Sequence, residues 1–333
     1  MRLLSPFICL LGAFAALAAG IGAANADWRE DIGALRIGIL AQGDARKAVA
    51  QAEPFRLAVA EKLGVAVEIF AARDYAALID ATASARIEYS VLSATSFALA
   101  WNRCECIEPL AIARSGDGTS AMHEVVIARR EGPASLGELK GKRIAATKAK
   151  AFGGLDIALR QTRQEGLDAA SQAQLQMFEG SDLSIAALRE GTVDALLGWS
   201  SMFGAPEEGY SQGTLRKLGE IEGDVSAYRI IWQSAAIPHR VHAVRKSLPG
   251  EARSQLRDLL ATLFDNDPVA YDAIEPVYGG GFLPARQGQF EPLAALLKEE
   301  PEQAGAAGEE TDKIAAGSVS GEAEKQEPGE PRD

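Results

Sequence analysis

The sequence predicts an α/β protein made of two similar units that face each other across a cleft. Two observations support this fold class. Between residues 35 and 101, short β-prone runs alternate with segments of helical spacing, and the same alternation returns between residues 123 and 201. Such an alternation predicts parallel strands with helices packed on the faces of each sheet.

The first unit begins with the strand "LRIGIL" at 35–40. A helix follows over 46–63, in which apolar residues recur at threes and fours. The run "VAVEIF" at 65–70 alternates as a strand does, and Asp74 is a candidate N-cap for the next helix. "EYSVLS" at 88–93 is the third strand and leads into another helix.

The second unit repeats this order of strands and helices. Its predicted elements are the strands "HEVVIARR" (123–130), "KRIAAT" (142–147), "LQMF" (175–178) and "VDALLGW" (193–199), and the helices "LDIALRQTRQ" (155–164) and "LSIAALREG" (183–191). In open α/β sheets, ligands bind beyond the carboxyl ends of the strands, where helix N-termini point. Two such units therefore predict a ligand cleft between them.

The stretch "RIEYSVLSATSF" at 86–97 suggests where part of that cleft lies. An apolar strand opens directly onto small and hydroxyl residues before the helix begins. The first amides of a helix lack intrahelical partners, so hydroxyls placed there can hold a small polar ligand together with those amides. Ser93, Thr95 and Ser96 are therefore candidate ligand contacts.

The N-terminus has the layout of a secretory signal peptide over residues 1–26. Arg2 precedes an apolar run over 3–19, and Ala24-Asn25-Ala26 is a small-x-small cleavage pattern before Asp27. The alternative is a membrane anchor, against which the glycines of the run and the cleavage pattern argue. No other apolar stretch is long enough to cross a bilayer. We therefore expect an exported protein that is located in the periplasm.

The C-terminal segment 300–333 is expected to be a disordered acidic tail. It contains no aromatic residue and is rich in Glu, Gly, Ala and Pro, so it cannot bury enough apolar surface to offset the ordering of the chain. About 270 residues remain between the signal peptide and this tail, which suits two lobes of ordinary size.

The net charge of −12 at pH 7 excludes nucleic acid as an expected partner, because an acidic protein repels phosphate backbones. The same field does not attract a small anion, so an anion site must be built from local groups. Cys104 and Cys106 remain after cleavage of the signal peptide. They are either two buried thiols or a local disulfide, and a metal site would need more ligands than this segment offers.

No pattern typical of an enzyme stands out. The sequence contains no Gly-Lys-Ser/Thr phosphate loop. Of the three histidines, His123 is a candidate polar wall of the cleft, whereas His242 is expected to pack against a returning strand. His239 and His242 lack a third metal ligand nearby. Trp199 is either a core residue or an aromatic wall of the cleft. We therefore expect binding without catalysis, metal or cofactor.

Five segments, in this order, resemble the periplasmic phosphonate/phosphate/phosphite-binding family of ABC transporters. They are "YAALIDATASARIEYSVLSATSFALA" (75–100), "SLGELKGKRIAAT" (135–147), "FEGSDLSIAALREGTVDALLG" (178–198), "IPHRVHAVRKSLPGEARSQLRDLLATL" (237–263) and "DPVAYDAIEPVYGGGFLPA" (267–285). The resemblance extends from Arg36 to Leu297.

The resemblance implies a two-lobed type II periplasmic-binding-protein fold, in which two crossing strands join the lobes and the ligand lies between them. Lobe 1 would be discontinuous, with residues 27–120 and 227–299, because the C-terminal part returns to it. Lobe 2 would comprise 121–226, and 228–237 would be a return strand.

The function implied by the resemblance is that of the solute-binding protein of an ABC importer. Lobe closure would capture a small oxyanion such as phosphonate, phosphite or phosphate and present it to an ABC permease in the inner membrane. The protein would act as a monomer. The alternative is an exported ligand-sensing or accessory binding protein of the same fold with a different small-molecule ligand.

The ligand contacts that the resemblance implies carry over in part. In lobe 1 the loop "LSATSF" matches a ligand loop of the family, and Tyr75 opens a helix near the ligand. In lobe 2 the family has a Ser-Thr-Ser-Gly run at a helix start, but this chain has Ala151-Phe152-Gly153-Gly154. The hydroxyls are therefore missing, and a buried anion that lacks donors is unfavourable.

Two explanations for this departure remain open. The amides of Gly153 and Gly154 at the helix start, with the charges of Lys148 and Lys150, would replace the missing hydroxyls. Alternatively, the ligand is a less charged oxyanion or an organic molecule that stacks on Phe152.

Overall fold

The structure is a computed structural model that describes residues 28–41, 43–147, 154–202 and 210–298. The expected signal peptide at 1–26 and the expected acidic tail at 300–333 lie outside these residues. In the described part of the chain, every helix is too short or too polar to span a bilayer.

Helices and strands alternate along most of the described chain. The helices are α1 Trp28–Ile32, α2 Ala45–Gln51, α3 Glu53–Leu63, α4 Tyr75–Ala83, α5 Ala94–Cys104, α6 Gly154–Gln164, α7 Ala169–Gln172, α8 Ser181–Glu190, α9 Thr214–Glu222, α10 Gly250–Asn266, α11 Pro268–Ile274 and α12 Glu291–Lys298. The strands are β1 Ala34–Leu40, β2 Ala66–Ala72, β3 Tyr89–Leu92, β4 Ile107–Ser115, β5 Ala121–Arg129, β6 Arg143–Thr147, β7 Gln174–Phe178, β8 Ala195–Met202, β9 Tyr210–Gly213, β10 Tyr228–Gln233, β11 Ile237–Pro238, β12 Val241–Arg245 and β13 Gly279–Pro284.

The first sheet has the strand order β13-β4-β12-β3-β1-β2. Strands β1, β2 and β3 are parallel, whereas β12, β4 and β13 pair antiparallel with their neighbours. Apolar side chains cover both faces: Ile37 packs with Phe55 in one cluster, and Phe97 packs with Phe290 in the other. This sheet and its helices form the first lobe.

The second sheet has the order β10-β5-β8-β6-β7, with β9 paired to β8 and β11 paired to β5. Strands β6, β7 and β8 are parallel, and β5 and β10 are antiparallel. Successive residues of β5 enter opposite clusters, because Val125 packs with Ile185 and Val126 packs with Ala158. This sheet and helices α6–α9 form the second lobe.

The predicted fold class, two α/β lobes, is confirmed, but the expectation of parallel sheets is only partly right. Each sheet is mixed. The parallel strands belong to local strand–helix–strand units, whereas the antiparallel strands β4, β5, β10 and β12 border the two connections between the lobes. Sequence periodicity identifies the first kind of neighbour and gives no information on the second.

Two connections join the lobes side by side. The chain passes from β4 to β5 through residues 116–120 and returns from β10 to β12 through 234–240. The His239 amide donates to the Ser120 carbonyl at 2.9 Å, and the Ala113 amide donates to the Arg240 carbonyl at 2.9 Å. The connections therefore form a short hydrogen-bonded ribbon between the lobes.

The strand at 228–233 is a correction to the expected lobe boundary. The sequence places 227–299 in lobe 1, but β10 pairs with β5 in the second sheet, with Ile230 opposite Ile127. The chain therefore returns to the first lobe only after Gln233. The apolar pattern of a strand does not indicate which strand it pairs with. The sequence therefore assigned β10 to lobe 1, although it pairs in the second sheet.

The lobes also touch away from the ribbon. Ile157 of α6 is 1% exposed and packs in the first-lobe cluster that contains Phe97, Leu293 and Leu296. An apolar contact thus links the second lobe to the C-terminal helix α12.

Two local predictions are settled by the structure. Asp74 is the N-cap of α4, as expected, and its side chain accepts a hydrogen bond from the Ala77 amide at 2.7 Å. Cys104 and Cys106 form a disulfide at the end of α5, which decides between the two alternatives left open for these residues.

Candidate ligand cleft

A cavity of about 440 Å³ lies between the two sheets, beside the ribbon that joins the lobes. Tyr75, Ser93 and Thr95 line it from the first lobe, and Gly154 and Trp199 line it from the second. The structure thus brings together five of the residues that the sequence proposes as ligand contacts.

Five of the described helices begin at this cavity. Their first residues are Tyr75 (α4), Ala94 (α5), Gly154 (α6), Ser181 (α8) and Thr214 (α9), and all five residues line the cavity. The first amides of a helix have no intrahelical acceptor and carry the positive end of the helix dipole. Both lobes therefore direct donors and positive partial charge toward the same space.

The start of α5 shows how three hydroxyl residues divide their roles. Ser93 is the N-cap: its Oγ accepts from the Ser96 amide at 3.1 Å and donates to the Ser96 hydroxyl at 2.9 Å. Thr95 is 4% exposed, lines the cavity and makes no hydrogen bond through its hydroxyl to the described residues. Of the three, Thr95 is the one with a hydroxyl available to a ligand.

Ser96, also predicted as a ligand contact, does not line the cavity. It is fully buried, and its hydroxyl and amide are both engaged by Ser93. A residue three positions after the cap turns back against it, and this is the usual geometry of a capped helix start.

The second-lobe loop that departs from the family pattern is only partly described. Thr147 ends β6 with its Oγ1 3.3 Å from the Ser184 Oγ, and the Ser184 hydroxyl donates to the Ser181 carbonyl at 2.9 Å. Lys148, Lys150 and Gly153, proposed as ligand contacts, lie outside the described residues.

Trp199 is 41% exposed and forms part of the cavity wall from the middle of β8. Its amide donates to the Thr214 Oγ1 at 3.2 Å, which ties the strand to the start of α9. Gly213 has φ +103°, and a Cβ there would lie 2.2 Å from the Trp199 carbonyl oxygen. Only glycine therefore allows α9 to begin this close to Trp199.

The structure places His123 outside the cavity. Its ring Nδ1 lies 2.7 Å from the Ser234 carbonyl oxygen, on the face of β5 opposite to the cavity. The strand neighbours Met122 and Glu124 line the cavity instead. Adjacent residues of a strand point to opposite faces, so the polar wall belongs to Glu124.

Glu124 is the main residue that the sequence reasoning missed. It is 8% exposed, and its carboxyl makes no hydrogen bond to the described residues. Burial raises the pKa of this carboxyl to about 7. A Cβ on Gly154 would lie 2.8 Å from Glu124 Oε1, so the carboxyl sits against the start of α6. The available signal was a lone carboxylate inside the apolar strand "HEVVIA".

The ribbon side of the cavity is lined by His239, Arg240 and Tyr278. The His239 ring stacks on Tyr278 with centroids 4.8 Å apart, and burial lowers the pKa of His239, so the ring is neutral at pH 7. The Arg240 guanidinium lies 3.3 Å from Glu275 Oε2. The positive charge of Arg240 is therefore balanced within the protein.

A second cavity of about 320 Å³ adjoins the first within the first lobe. The two share Tyr75, Ser93 and Arg240, and Leu40 at the carboxyl end of β1 lines the second one. The position agrees with the rule that ligands of α/β sheets bind beyond the carboxyl ends of the strands.

Two lobes around a cleft lined by helix starts define a binding protein of the periplasmic type. Residues 37–290 match the profile of the family described as "ABC transporter, phosphonate, periplasmic substrate-binding protein". The match covers most of the chain, and the chain belongs to this family. Proteins of the family bind a small molecule in the periplasm and work with the membrane permease of an ABC transporter.

Solved structures show the same fold at low sequence identity. XAC2383 from Xanthomonas citri bound to chloride ion has 19% identity and a TM-score of 0.57, over 80% of this chain and 98% of that one. The same protein bound to ATP has 20% identity and a TM-score of 0.57, over 80% and 97% of the two chains. PhnD1 from Prochlorococcus marinus in complex with methylphosphonate has 12% identity and a TM-score of 0.51, over 80% and 98%. The fold is that of the type II periplasmic-binding proteins.

Proposed function

We propose that this protein captures a small oxyanion, such as phosphonate, phosphite or phosphate, in the cleft and delivers it to an ABC permease in the inner membrane. The observation that carries the proposal is the convergence of five helix starts from both lobes on one cavity. The lobes thereby present backbone donors to a common ligand.

Backbone amides are better candidates than charged side chains for holding an anion in this cavity. An anion taken out of water needs several hydrogen-bond donors, because each unmade bond in a buried site is unfavourable. Arg240 is the cationic side chain at pH 7 among the described lining residues, and Glu275 already balances it. The helix starts, with the Thr95 hydroxyl, supply donors that the acidic protein as a whole does not.

The size and position of the cavity fit capture by closure. A volume of about 440 Å³ is in the range of small-molecule sites. The ligand would contact both lobes, and the ribbon at 116–120 and 234–240 is the part of the described chain where they can bend. A ligand that makes more contacts in the closed form shifts the population toward it.

The test is a ligand screen by thermal shift, followed by calorimetry, with methylphosphonate, phosphite, phosphate, sulfate and methanesulfonate. A binding anion raises the melting temperature with concentration, because it stabilises the folded form alone. We expect at least one of these oxyanions to do so. Stabilisation by an unrelated organic compound, with none from the oxyanions, would contradict the proposal.

A variant pair locates the binding site. Thr95→Val removes the cavity hydroxyl and keeps the shape, so oxyanion affinity should fall about tenfold or more, as for the loss of a hydrogen bond to a charged group. Thr262→Val on the exposed face of α10 is the matched control and should bind as the wild type does. Equal affinity in both variants would place the ligand elsewhere.

The second candidate is an exported sensing or accessory protein of the same fold with a different small-molecule ligand. The apolar part of the lining, with Met122, Leu197 and Ile237 beside the buried Glu124, favours it. Reconstitution with the permease of a phosphonate-type ABC transporter separates the two roles. Stimulation of the permease ATPase by the loaded protein supports an importer, and its absence supports a sensor.

A further inference from the structure

We propose that Glu124 selects oxyanions that carry an exchangeable proton, because the bound anion and the Glu124 carboxyl share one proton. Phosphonate-type and phosphate-type ligands would then be preferred to sulfonates and sulfate near and above neutral pH. The inference rests on the proposed function and names the class of oxyanion that the same site accepts.

Glu124 projects from β5 into the cavity. The side chain lies on the same face of β5 as Val126 and Ala128, which are packed in the second-lobe core. The Glu124 side chain extends this face of β5 into the cavity. It is 8% exposed, and its carboxyl makes no hydrogen bond to the described residues. A buried carboxyl without a partner is unfavourable unless a ligand completes it.

The Glu124 carboxyl and a bound oxyanion would both lie at the N-terminal end of α6. Glu124 Oε1 lies against Gly154, the first residue of α6, so close that a Cβ there would stand 2.8 Å from it. An anion held by the amides of α6 would therefore lie close to the carboxyl. Two negative oxygens at such a distance repel each other strongly, and the usual resolution is that the pair retains one proton.

No described cation faces Glu124 to offset a second negative charge. The titratable groups that share the cavity with it are Tyr75, His239, Arg240 and Tyr278. His239 is neutral at pH 7, and Arg240 is balanced by Glu275.

The described residues of the elements packed against β5 add no free charge either. On α6, Asp156 pairs with Arg160. On β8 the residue opposite Glu124 is Trp199, and on β10 the guanidinium of Arg229 donates to the Gly132 carbonyl. Burial is accordingly the cause that raises the pKa of Glu124 to about 7.

The shared proton has different sources for the two ligand classes. A phosphonate monoanion brings its own proton and can donate it to the carboxylate of Glu124. A sulfonate has none near neutral pH, so it can bind well only when Glu124 is protonated. Above about pH 7, sulfonate affinity should therefore fall about tenfold per pH unit.

The test is isothermal titration calorimetry of the purified protein with methylphosphonate and methanesulfonate, from about pH 6 to about pH 9. These probes have similar shape and differ in the exchangeable proton. At alkaline pH, titrations in two buffers of different ionisation enthalpy should show uptake of about one proton with methanesulfonate. Methylphosphonate should show less proton uptake and a shallower loss of affinity just above about pH 7, where its monoanion persists. Once its second ionisation is complete, it should also take up about one proton and lose affinity in parallel with methanesulfonate.

The variant Glu124→Gln should abolish the pH dependence of methanesulfonate binding and reduce the preference for methylphosphonate at least tenfold at about pH 8. Glu131→Gln, beyond the opposite end of β5 and 74% exposed, removes the same charge and should behave as the wild type. The proton uptake of the wild type tests the inference even if Glu124→Gln does not fold.

The outcomes separate this inference from the proposed function. Binding of methanesulfonate without proton uptake above about pH 7, or an unchanged preference in Glu124→Gln, would overturn proton sharing and leave oxyanion capture intact. If the wild type bound neither these anions nor the others of the screen at any pH, oxyanion capture itself would fail, and proton sharing with it.

Discussion

His242 Nε2 lies 2.8 Å from Glu275 Oε1, and both side chains are fully buried in the first lobe. The Tyr89 hydroxyl contacts the other ring nitrogen of His242, and the Arg240 guanidinium lies 3.3 Å from Glu275 Oε2. A polar chain thus runs from the centre of the first sheet to the edge of the ligand cavity. Glu275 is its central member, since it contacts both a core residue and a cavity residue.

Replacement of Glu275 by alanine should lower the free energy of unfolding by about 3–5 kcal/mol, because it leaves buried His242 without its hydrogen-bond partner and Arg240 without its ion-pair partner. Urea denaturation followed by circular dichroism measures this change. Glu251→Ala is the control: Glu251 pairs with Arg29 at the surface, so its loss should change stability by about 1 kcal/mol or less. Similar values for both variants would show that the buried chain adds no special stability.

The stability of the ligand-free protein should depend on Glu124 in a defined pH window. Burial raises the pKa of Glu124 from 4.5 to about 7, so between these values the folded form binds more protons than the unfolded form. Protonation of Glu124 therefore stabilises the folded form fully below about pH 4.5. This contribution to the free energy of unfolding is lost as the pH rises through about 7. The loss is roughly 3 kcal/mol for a shift of this size.

The Glu124→Gln variant provides the measurement, by urea denaturation at several pH values with and without the substitution. The difference in unfolding free energy between variant and wild type should grow toward alkaline pH in favour of the variant. Glu131→Gln should show no such trend. A constant difference across the window would mean that Glu124 titrates as an ordinary surface carboxyl.

Gly213 should tolerate no side chain because of its contact with the Trp199 carbonyl. Gly213→Ala adds a Cβ 2.2 Å from that oxygen, so the start of α9 must shift, and both stability and ligand affinity should fall. Gly166→Ala has a similar backbone angle, φ +96°, but meets nothing within 4 Å. This pair separates backbone strain from steric clash: thermal unfolding and calorimetry should show a clearly larger loss for Gly213→Ala.

Phe97 should be a main anchor of the C-terminal helix. Its ring is fully buried, and its centroid lies 4.5 Å from that of Phe290 just before α12. Phe97→Ala should lower the unfolding free energy by about 3–5 kcal/mol, and Phe97→Leu by less, since leucine fills more of the space. Equal losses in the two variants would indicate that the site collapses around either side chain.

Local periodicity was enough to predict most strands and helices. The predicted strand at 35–40 is β1 at Ala34–Leu40, and the predicted helix at 155–164 is α6 at Gly154–Gln164. The Asp74 cap was readable because a cap depends only on its nearest neighbours. The cleft followed from the order of these elements, since the carboxyl ends of parallel strands meet at one edge of a sheet.

Contacts between segments that are distant in the sequence could not be predicted from local periodicity. The partner of β10 depends on β5, about a hundred residues away along the chain, and no local pattern identifies it. His123 and Glu124 are neighbours on one strand, but which of them faces the cleft depends on the pairing of β5, because a shift of one residue exchanges the two faces. The sequence indicated a cleft near this strand, but it could not indicate that Glu124 lines the cavity and His123 does not.

The contact of Ile157 with the first-lobe cluster affects how the empty protein moves. Opening the lobes would carry this side chain from an apolar contact into water. Such a contact does not depend on ionic strength, but it weakens on cooling, as hydrophobic burial does. The exchange between open and closed forms should therefore respond to temperature much more than to salt.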